Sequence, residues 1–284
     1  MSKIAIITDT DSSLPPDVVE RYNIQQVPIT IHFGEESFNA GLDFDDASLF
    51  ERVARLNKLP TTSAPSPHAF AEAYRRAFDS GANEIVCLCV SSMISSTYAS
   101  ALTACDEFPG RTIRVIDTLN VSMGQGLMVL AAAEAARGGD SIDDVVACAQ
   151  DTGRRMHLFA VLSTLKYLAL SGRVGKFVAG VADTFNIKPL LTVVDGKLDL
   201  LEKVRTRRKA INRMLELVNQ SVKGSGIERL AIIHSNNLAG ARELQDLLRA
   251  NAACPQEIMI CAFGAGLSVH AGPGLVGVAL VSQN

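Results

Sequence analysis

The sequence predicts an α/β protein of two domains, and three observations support this fold class. Strand-like and helix-like segments alternate over residues 1–157, which is typical of a doubly wound, mostly parallel sheet. Hairpins and helices mix afterwards, with a strong hairpin signal at Asp195–Gly196, which indicates an α+β domain with a mixed sheet. Apolar residues make up 48% of the chain, enough for a substantial core. We therefore expect domains at 1–157 and 158–284, a small excursion near 34–60, and a ligand site in the interdomain cleft.

Composition argues against several classes of protein. The 284 residues include 27 Lys plus Arg and 30 Asp plus Glu, with four Tyr and no Trp, so we expect no nucleic-acid binding. No apolar run approaches the roughly 18 residues of a membrane helix, so we expect no stable membrane insertion. The first residues lack a signal-peptide pattern, and the six Cys form no CxxC pair. We expect a cytoplasmic protein with reduced cysteines and no structural zinc.

Short apolar runs define the strands of the first domain, and amphipathic or acid-led segments define its helices. The predicted strands are 3–8, 24–33, 85–90 and 112–116. The predicted helices are 15–22, 44–57, 68–81, 99–107, 120–137 and 141–157. Residues 34–44 form a polar, turn-rich excursion with the pattern of a small hairpin. Three prolines within 60–67 exclude a helix or a central strand, so we expect a stiff loop carrying hydroxyl groups.

The stretch Glu84–Ala101 has the most specific chemistry of this domain. An apolar strand ends at Val90, a hydroxyl-rich turn with Ser95 and Ser96 follows, and helix formers begin at Ala99. The first backbone N–H groups of a helix lack partners within it and carry the positive end of its dipole, so they can hold a phosphate or a carboxylate. The alternative is that Ser95 or Ser96 only caps the helix.

The same patterns predict a mixture of strands and helices in the second domain. The strands are 158–162, 186–193, 197–204, 230–234, 257–262 and 275–281. The helices are 165–174, 207–222 and 239–250.

Two polar side chains of this domain stand near glycines. The segment SGRVGK (171–176) lacks the spacing of a phosphate loop, but its Arg173 could pair with an anion. The alternative is that Arg173 is solvated and follows a helix that ends at a glycine. His270 precedes Gly–Pro–Gly and is expected at that bend, although a lone His is usually structural. Hydroxyls, one Arg, one His and helix ends suit holding an anion better than cleaving a bond.

Two other functions stay open. Asp9 and Asp11 follow the first strand, as in a Mg²⁺-dependent small phosphohydrolase with Asp9 as nucleophile and Asp11 as acid; the alternative is a turn and helix cap. The basic run KVRTRRK (203–209) suits an interaction protein with a vestigial cleft that docks an acidic partner; the alternative is a solvated strand end and helix face.

Nine segments stand in order along nearly the whole chain. They are TDTDSSL (8–14), PTTSAPSP (60–67), SSMISSTYASA (91–101), DTLNVSMGQG (117–126), YLALSGRVGK (167–176), IKPLL (187–191), KVRTRRKA (203–210), HSNN (234–237) and HAGPG (270–274). Each segment is weak alone, but together and in register they are specific. They resemble the DegV family, the fatty-acid-binding proteins that serve bacterial fatty acid kinase.

The resemblance implies a DegV-like two-domain fold with one long-chain fatty acid, such as palmitate, stearate or oleate, buried between the domains. It implies that Thr62 and Ser95 hold the carboxylate and that Arg173 and His270 form a polar pair near it. It also implies that the protein is not the catalyst and needs no cofactor or metal. A separate ATP-dependent fatty acid kinase subunit would phosphorylate the bound carboxylate to an acyl phosphate.

Two positions depart from the family pattern. Ser96 stands where the family usually has Gly. Either its Cβ shifts the carboxylate or its hydroxyl acts as an extra donor, so we include it among the binding residues. The proline loop has Ala64–Pro65–Ser66 after Ser63, where the family usually continues from TS with QPS. Apolar residues of 123–130 and 158–170 either line the acyl tunnel or form ordinary core.

Overall fold

The computed structural model describes residues 3–173, 187–222 and 224–283. In chain order the strands are β1 (Ile4–Asp9), β2 (Gln25–Val27), β3 (Thr30–Phe33), β4 (Glu36–Asn39), β5 (Thr61–Ser63), β6 (Glu84–Cys89), β7 (Thr112–Asp117), β8 (Met156–Val161), β9 (Lys188–Val194), β10 (Lys197–Val204), β11 (Ile227–His234), β12 (Met259–Ala262) and β13 (Val276–Ser282). The helices are α1 (Pro16–Arg21), α2 (Asp46–Leu56), α3 (Pro67–Asp79), α4 (Thr97–Ala104), α5 (Met123–Gly138), α6 (Ile142–Arg154), α7 (Lys166–Ser171), α8 (Arg207–Val222), α9 (Leu238–Asn251) and α10 (Ala265–Ala271).

The first sheet is parallel and has the order β2–β1–β6–β7. Helices α3 and α4 cover one face, where Tyr74 belongs to the same apolar cluster as Ile85 and Cys87. Helices α5 and α6 cover the other face, where Leu127 joins Leu88. Helices on both faces of a parallel sheet confirm the predicted doubly wound architecture.

The second sheet is mixed and has the order β10–β9–β8–β13–β11–β12. Its strands pair antiparallel except for β11 and β12, which run parallel. Helices α8 and α9 pack on one face, and α5 contacts β8, β11 and β13. Helix α5 therefore lies between the two sheets, and an apolar cluster runs continuously from one to the other. The mixed sheet is confirmed, while the division at residue 157 stays a prediction.

A third sheet of order β4–β3–β5 forms the excursion, together with α2. The strand predicted at 24–33 is wrong as a single element, because it divides around Pro28 into β2 of the parallel sheet and β3 of this small sheet. The loop predicted at 60–67 is wrong over Thr61–Ser63, which pairs with β3 as β5. This strand lies at an edge, as the prolines require.

One helix ends earlier than predicted, and another helix was not predicted. The helix predicted over 141–157 ends at Arg154, and His157 lies in β8 opposite Leu280, because the second sheet takes this residue as a strand partner. The helix α10 was not predicted, because Gly264, Gly266 and the Gly–Pro–Gly after Ala271 are typical of a loop. His270 therefore lies in the last turn of a helix and not at the bend.

The short helix after β8 agrees with its prediction up to Gly172. That glycine has a φ of +68°, a conformation that glycine adopts without steric cost, and α7 ends before it. The last predicted residue, 174, lies outside the described residues. No helix within the described ranges is long and apolar enough to cross a lipid bilayer.

Candidate functional site

A cavity of about 530 Å³ lies where elements of both halves of the chain meet. Its polar lining consists of Asp11, Thr62, Ser63, Ser92, Ser95, Ser96, Arg173 and His270. Its apolar lining consists of Ile29, Ala64, Ile94, Val121, Leu158, Ala160, Leu162, Leu168, Leu191, Leu198, Phe263, Leu267, Ala271 and Leu275. The structure thus brings all five sequence-predicted binding residues to one cavity. That they contact a ligand stays a prediction.

The lining changes from polar and exposed to apolar and buried. Its exposed members are all polar and comprise Ser63, Ser92, Ser96 and Arg173. The aliphatic side chains from β8, β9, α7 and α10 are buried. This arrangement suits an amphipathic molecule that has its polar end near the surface and its apolar end inside.

The closest polar pair in this lining joins the first half of the chain to the second. The Thr62 Oγ1 and His270 Nε2 atoms lie 2.8 Å apart. Pairing of Thr62 with Ile31 fixes the position of the threonine in β5, and α10 fixes the position of the histidine. Burial lowers the pKa of His270 to about 4, and the Arg173 guanidinium adds to this effect. The imidazole is therefore neutral at pH 7.

The tautomer of His270 decides what Thr62 can offer a ligand. The buried Nδ1 atom makes no hydrogen bond within the described part of the chain. If Nδ1 carried the proton, a buried N–H donor would lack an acceptor, which proteins tolerate less well than an unused acceptor. We therefore assign the proton to Nε2, which donates to Thr62 Oγ1. The hydroxyl proton of Thr62 is then available to an acceptor in the cavity.

The serine turn supplies a second group of donors. Ser95 Oγ accepts a hydrogen bond from the Thr97 N–H at 3.3 Å and lies 2.7 Å from Thr97 Oγ1. Ser95 thus takes the role of a local cap, as its alternative interpretation held, and its own hydroxyl proton can still be donated to a ligand. Ser96 occupies the N-cap position of α4 without a side-chain capping bond and is exposed. Both hydroxyls stand at the positive end of this helix.

Arg173 lies at the exposed end of the cavity lining. Its guanidinium donates to the Ser171 carbonyl at 2.7 Å, and the residue follows the Gly172 turn. The positively charged guanidinium and His270 line the same cavity, and this charge contributes to the lowered pKa of the histidine. Residues 174–176 of the SGRVGK motif lie outside the described residues.

Asp9 and Asp11 are both buried, but only Asp11 lines the cavity. The fully buried Asp9 carboxylate accepts hydrogen bonds from the Val90 N–H at 2.8 Å, the Gln125 amide at 3.1 Å and the Asp11 N–H at 3.0 Å. Burial raises the pKa of Asp9 to about 6, although these bonds oppose the rise. Asp9 does not line the cavity, which argues against its attack on a phosphate held there. No group of three or more His, Cys, Asp or Glu side chains in the described ranges is arranged to hold a metal ion.

The basic run 203–209 lies away from this cavity, at the end of β10 and the start of α8. Lys203, Arg205, Arg208 and Lys209 are exposed, while Arg207 donates to the Gly274 carbonyl at 3.1 Å. The four exposed side chains agree with the interpretation of this run as a solvated strand end and helix face.

One apolar wall of the cavity was predicted from the sequence, and another was not. Residues within 158–170 line the cavity, whereas Met123 and Leu127 are fully buried core. Phe263, Leu267 and Asp11 were not expected as lining. Leu267 and Ala271 are four residues apart, which places both on one helix face, but the helix itself had gone unrecognised.

The comparisons with a family model, with protein sequences and with solved structures agree on one family. The family model described as "Uncharacterised protein, DegV family" matches residues 3–283. A DegV domain-containing protein of Streptomyces coelicolor is 35% identical over 280 residues, covering 99% of each chain. A structure described as fatty acid binding of a DegV family protein from Thermus thermophilus has a TM-score of 0.93 at 30% identity, covering 99% of this chain and 100% of that one. DegV of Bacillus subtilis, described as a fatty acid binding protein, has a TM-score of 0.89 at 27% identity with full coverage of both chains.

Proposed function

This chain belongs to the DegV family, and on that premise we propose that it binds one long-chain fatty acid in the cavity between its two halves. The observation that carries the proposal is the change in the cavity lining from exposed polar to buried aliphatic side chains. A fatty acid shows the same change along its length, from a polar carboxylate to an apolar tail. The structural relatives described as fatty-acid-binding proteins support the same ligand class.

The carboxylate is held at the polar end. Thr62 and Ser95 each donate a hydroxyl hydrogen bond, and the N-terminus of α4 adds its dipole. Ser96 is an additional donor, and Arg173 supplies positive charge at the exposed side. These groups orient the ligand more than they increase its affinity, because desolvation of the carboxylate offsets most of the gain.

The acyl tail supplies most of the affinity. Each buried methylene contributes roughly 0.8 kcal/mol, so a long chain supplies on the order of 10 kcal/mol before ordering costs. The cavity volume of about 530 Å³ is within the range of small-molecule sites. Leu158, Leu162 and Leu191 are examples of the buried walls that exclude water from the tail.

The protein acts as a carrier and not as the catalyst. The carboxylate site is bordered by the exposed Ser96 and Arg173, so a separate ATP-dependent kinase subunit can reach the carboxylate and form an acyl phosphate. A reaction of this protein, palmitate, ATP and such a subunit should yield an acyl hydroxamate after hydroxylamine trapping. Omission of this protein should abolish that product; an equal yield without it would contradict the carrier role.

Calorimetric titration of the delipidated protein with palmitate tests the binding function. We expect saturable binding with one site per chain. Methyl palmitate is the matched control, since it has the same tail but no charge, and its affinity should be about tenfold lower because it forms no charge-assisted hydrogen bonds. The absence of saturable palmitate binding would contradict the proposal.

A further inference from the structure

Asp11 is a polar side chain in the cavity lining that the carboxylate site does not use. It lies on the turn Thr10–Ser12 that follows β1, and its residue is 9% exposed. The turn is fixed on both sides, because the Asp9 carboxylate accepts the Asp11 N–H and the Ser13 hydroxyl donates to the Phe263 carbonyl at 2.7 Å. The Asp11 side chain therefore has a defined position against the cavity.

The carboxyl group of Asp11 lies against α10. A Cβ atom added to Gly266 would lie 2.9 Å from Asp11 Oδ1 and 3.3 Å from a methyl carbon of Ile29. The glycine thus leaves room for the carboxyl group beside the helix. Within the described part of the chain, neither oxygen of this carboxyl takes part in a hydrogen bond, whereas its backbone N–H does.

Burial and a neighbouring carboxyl group both favour the neutral form of Asp11. Burial raises the pKa of its carboxyl well above the ordinary value, and the nearby Asp9 raises it further. Three hydrogen bonds stabilise the charged form of Asp9, whose pKa is about 6, whereas no such bond from a described residue lowers the pKa of Asp11. A negative charge on this pair is therefore favoured on Asp9, and the neutral form of the Asp11 carboxyl, which burial favours, has an O–H to donate.

The position of Asp11 along the ligand follows from α10. Gly266 and His270 are four residues apart, so they lie on one face of the helix about 6 Å apart along its axis. Thr62 and His270 belong to the carboxylate site, and Asp11 lies beside Gly266. An acyl chain that leaves the carboxylate site along α10 passes Asp11 within roughly its first six carbons.

We propose that Asp11 forms a second polar subsite, which selects fatty acids bearing a hydroxyl or oxo group near the carboxylate. The inference rests on the proposed fatty-acid-binding function. A plain alkyl chain leaves the Asp11 O–H without a partner, and a buried donor without a partner is costly. A hydroxyl or oxo oxygen at this point of the chain accepts that hydrogen bond. The subsite therefore turns a general acyl cavity into one that prefers oxygenated chains.

Competition binding with palmitate, 3-hydroxypalmitate, 5-hydroxypalmitate and 16-hydroxypalmitate tests this subsite. We expect at least one of the first two hydroxy acids to bind about three- to tenfold more tightly than palmitate, which is the effect of one hydrogen bond in a buried site. The 16-hydroxy acid should bind no more tightly than palmitate, because its hydroxyl is far from Asp11.

Two variants separate the subsite from a structural role of Asp11. Asp11→Asn keeps a neutral donor of the same shape and should keep the preference, whereas Asp11→Leu should abolish it while still binding palmitate. Thermal unfolding of both variants provides the check on folding. Equal affinities of the wild type for palmitate and for both carboxyl-proximal hydroxy acids, or an unchanged preference in Asp11→Leu, would overturn the inference. A failure of palmitate itself to bind would instead overturn the proposed function.

Discussion

Replacement of Thr62 by Val removes one hydroxyl group from the carboxylate site at almost constant volume. Thr62 Oγ1 accepts from His270 Nε2 at 2.8 Å, which directs its own proton into the cavity. In the Thr62→Val variant the carboxylate is still desolvated but lacks one donor, which costs about 1.5–3 kcal/mol, so the dissociation constant for palmitate should rise about ten- to hundredfold. Methyl palmitate avoids this cost because it has no charge to desolvate. Valine also leaves the His270 N–H without its acceptor, which should cost about 1 kcal/mol of folding stability.

Calorimetric titration with palmitate and with methyl palmitate measures this effect. Thr61→Val is the matched control, because Thr61 is the preceding residue of the same strand, is exposed, and points to the opposite face of the sheet. We expect Thr61→Val to bind palmitate as the wild type does, and Thr62→Val to lose affinity for palmitate more than for the methyl ester. An equal loss for both ligands, or the same loss in both variants, would refute the role of Thr62 as a carboxylate donor.

Three other perturbations follow from the structure. Because the folded-state pKa of His270 is about 4, below the ordinary 6.5, the unfolded chain binds the extra proton first, so stability should fall as the pH drops from 6.5 towards 4. Between pH 6.5 and 4, the free energy of unfolding of the wild type in urea should fall by up to about 1.4 kcal/mol per pH unit more than that of His270→Gln. Parallel pH profiles of the two proteins would contradict this. Ser95→Ala should weaken palmitate binding about tenfold and Ser96→Gly less than about threefold, since only Ser95 is held by neighbouring bonds; fluorescence displacement showing the reverse order would refute this ranking. A Cβ at Gly277 would lie 2.6 Å from the Phe159 carbonyl oxygen, so Gly277→Ala should cost more than about 2 kcal/mol in thermal unfolding, whereas Gly138→Ala, with nothing within 4 Å, should change stability by less than about 1 kcal/mol; similar effects would contradict the packing.

Local sequence patterns were sufficient to predict the elements that have a clear hydrophobic pattern or a clear turn signal. The apolar run ending at Val90 became a buried parallel strand, and Asp195–Gly196 joins two antiparallel strands as its turn signal predicted. Such segments bury either the side chains of one face or all of their side chains, so local sequence and tertiary packing favour the same structure.

The errors occurred where tertiary pairing decided the structure. Thr61–Ser63 became a strand because β3 offers an edge to it, and no local signal specifies that partner. Helix α10 forms between Gly264 and Gly272 because the surrounding elements bury it almost entirely. His270 therefore faces Thr62 from a helix and not from a bend.

The candidate site was predictable only through its residue types. Hydroxyls, an Arg and a His indicated an anion, and the resemblance to the DegV family selected which of them to name. Their convergence on one cavity depends on contacts between distant parts of the chain, such as the 208-residue separation of Thr62 and His270. The sequence left Asp11 open as a phosphohydrolase acid or as part of a turn and helix cap, because its position against α10 cannot be inferred from the turn alone.

Native mass spectrometry of the protein as purified, followed by analysis of what it releases on denaturation, tests the central claim most directly. The account predicts one long-chain fatty acid per chain, and it predicts a one-to-one adduct after delipidated protein is mixed with palmitate. A protein that releases no fatty acid and forms no such adduct would contradict it.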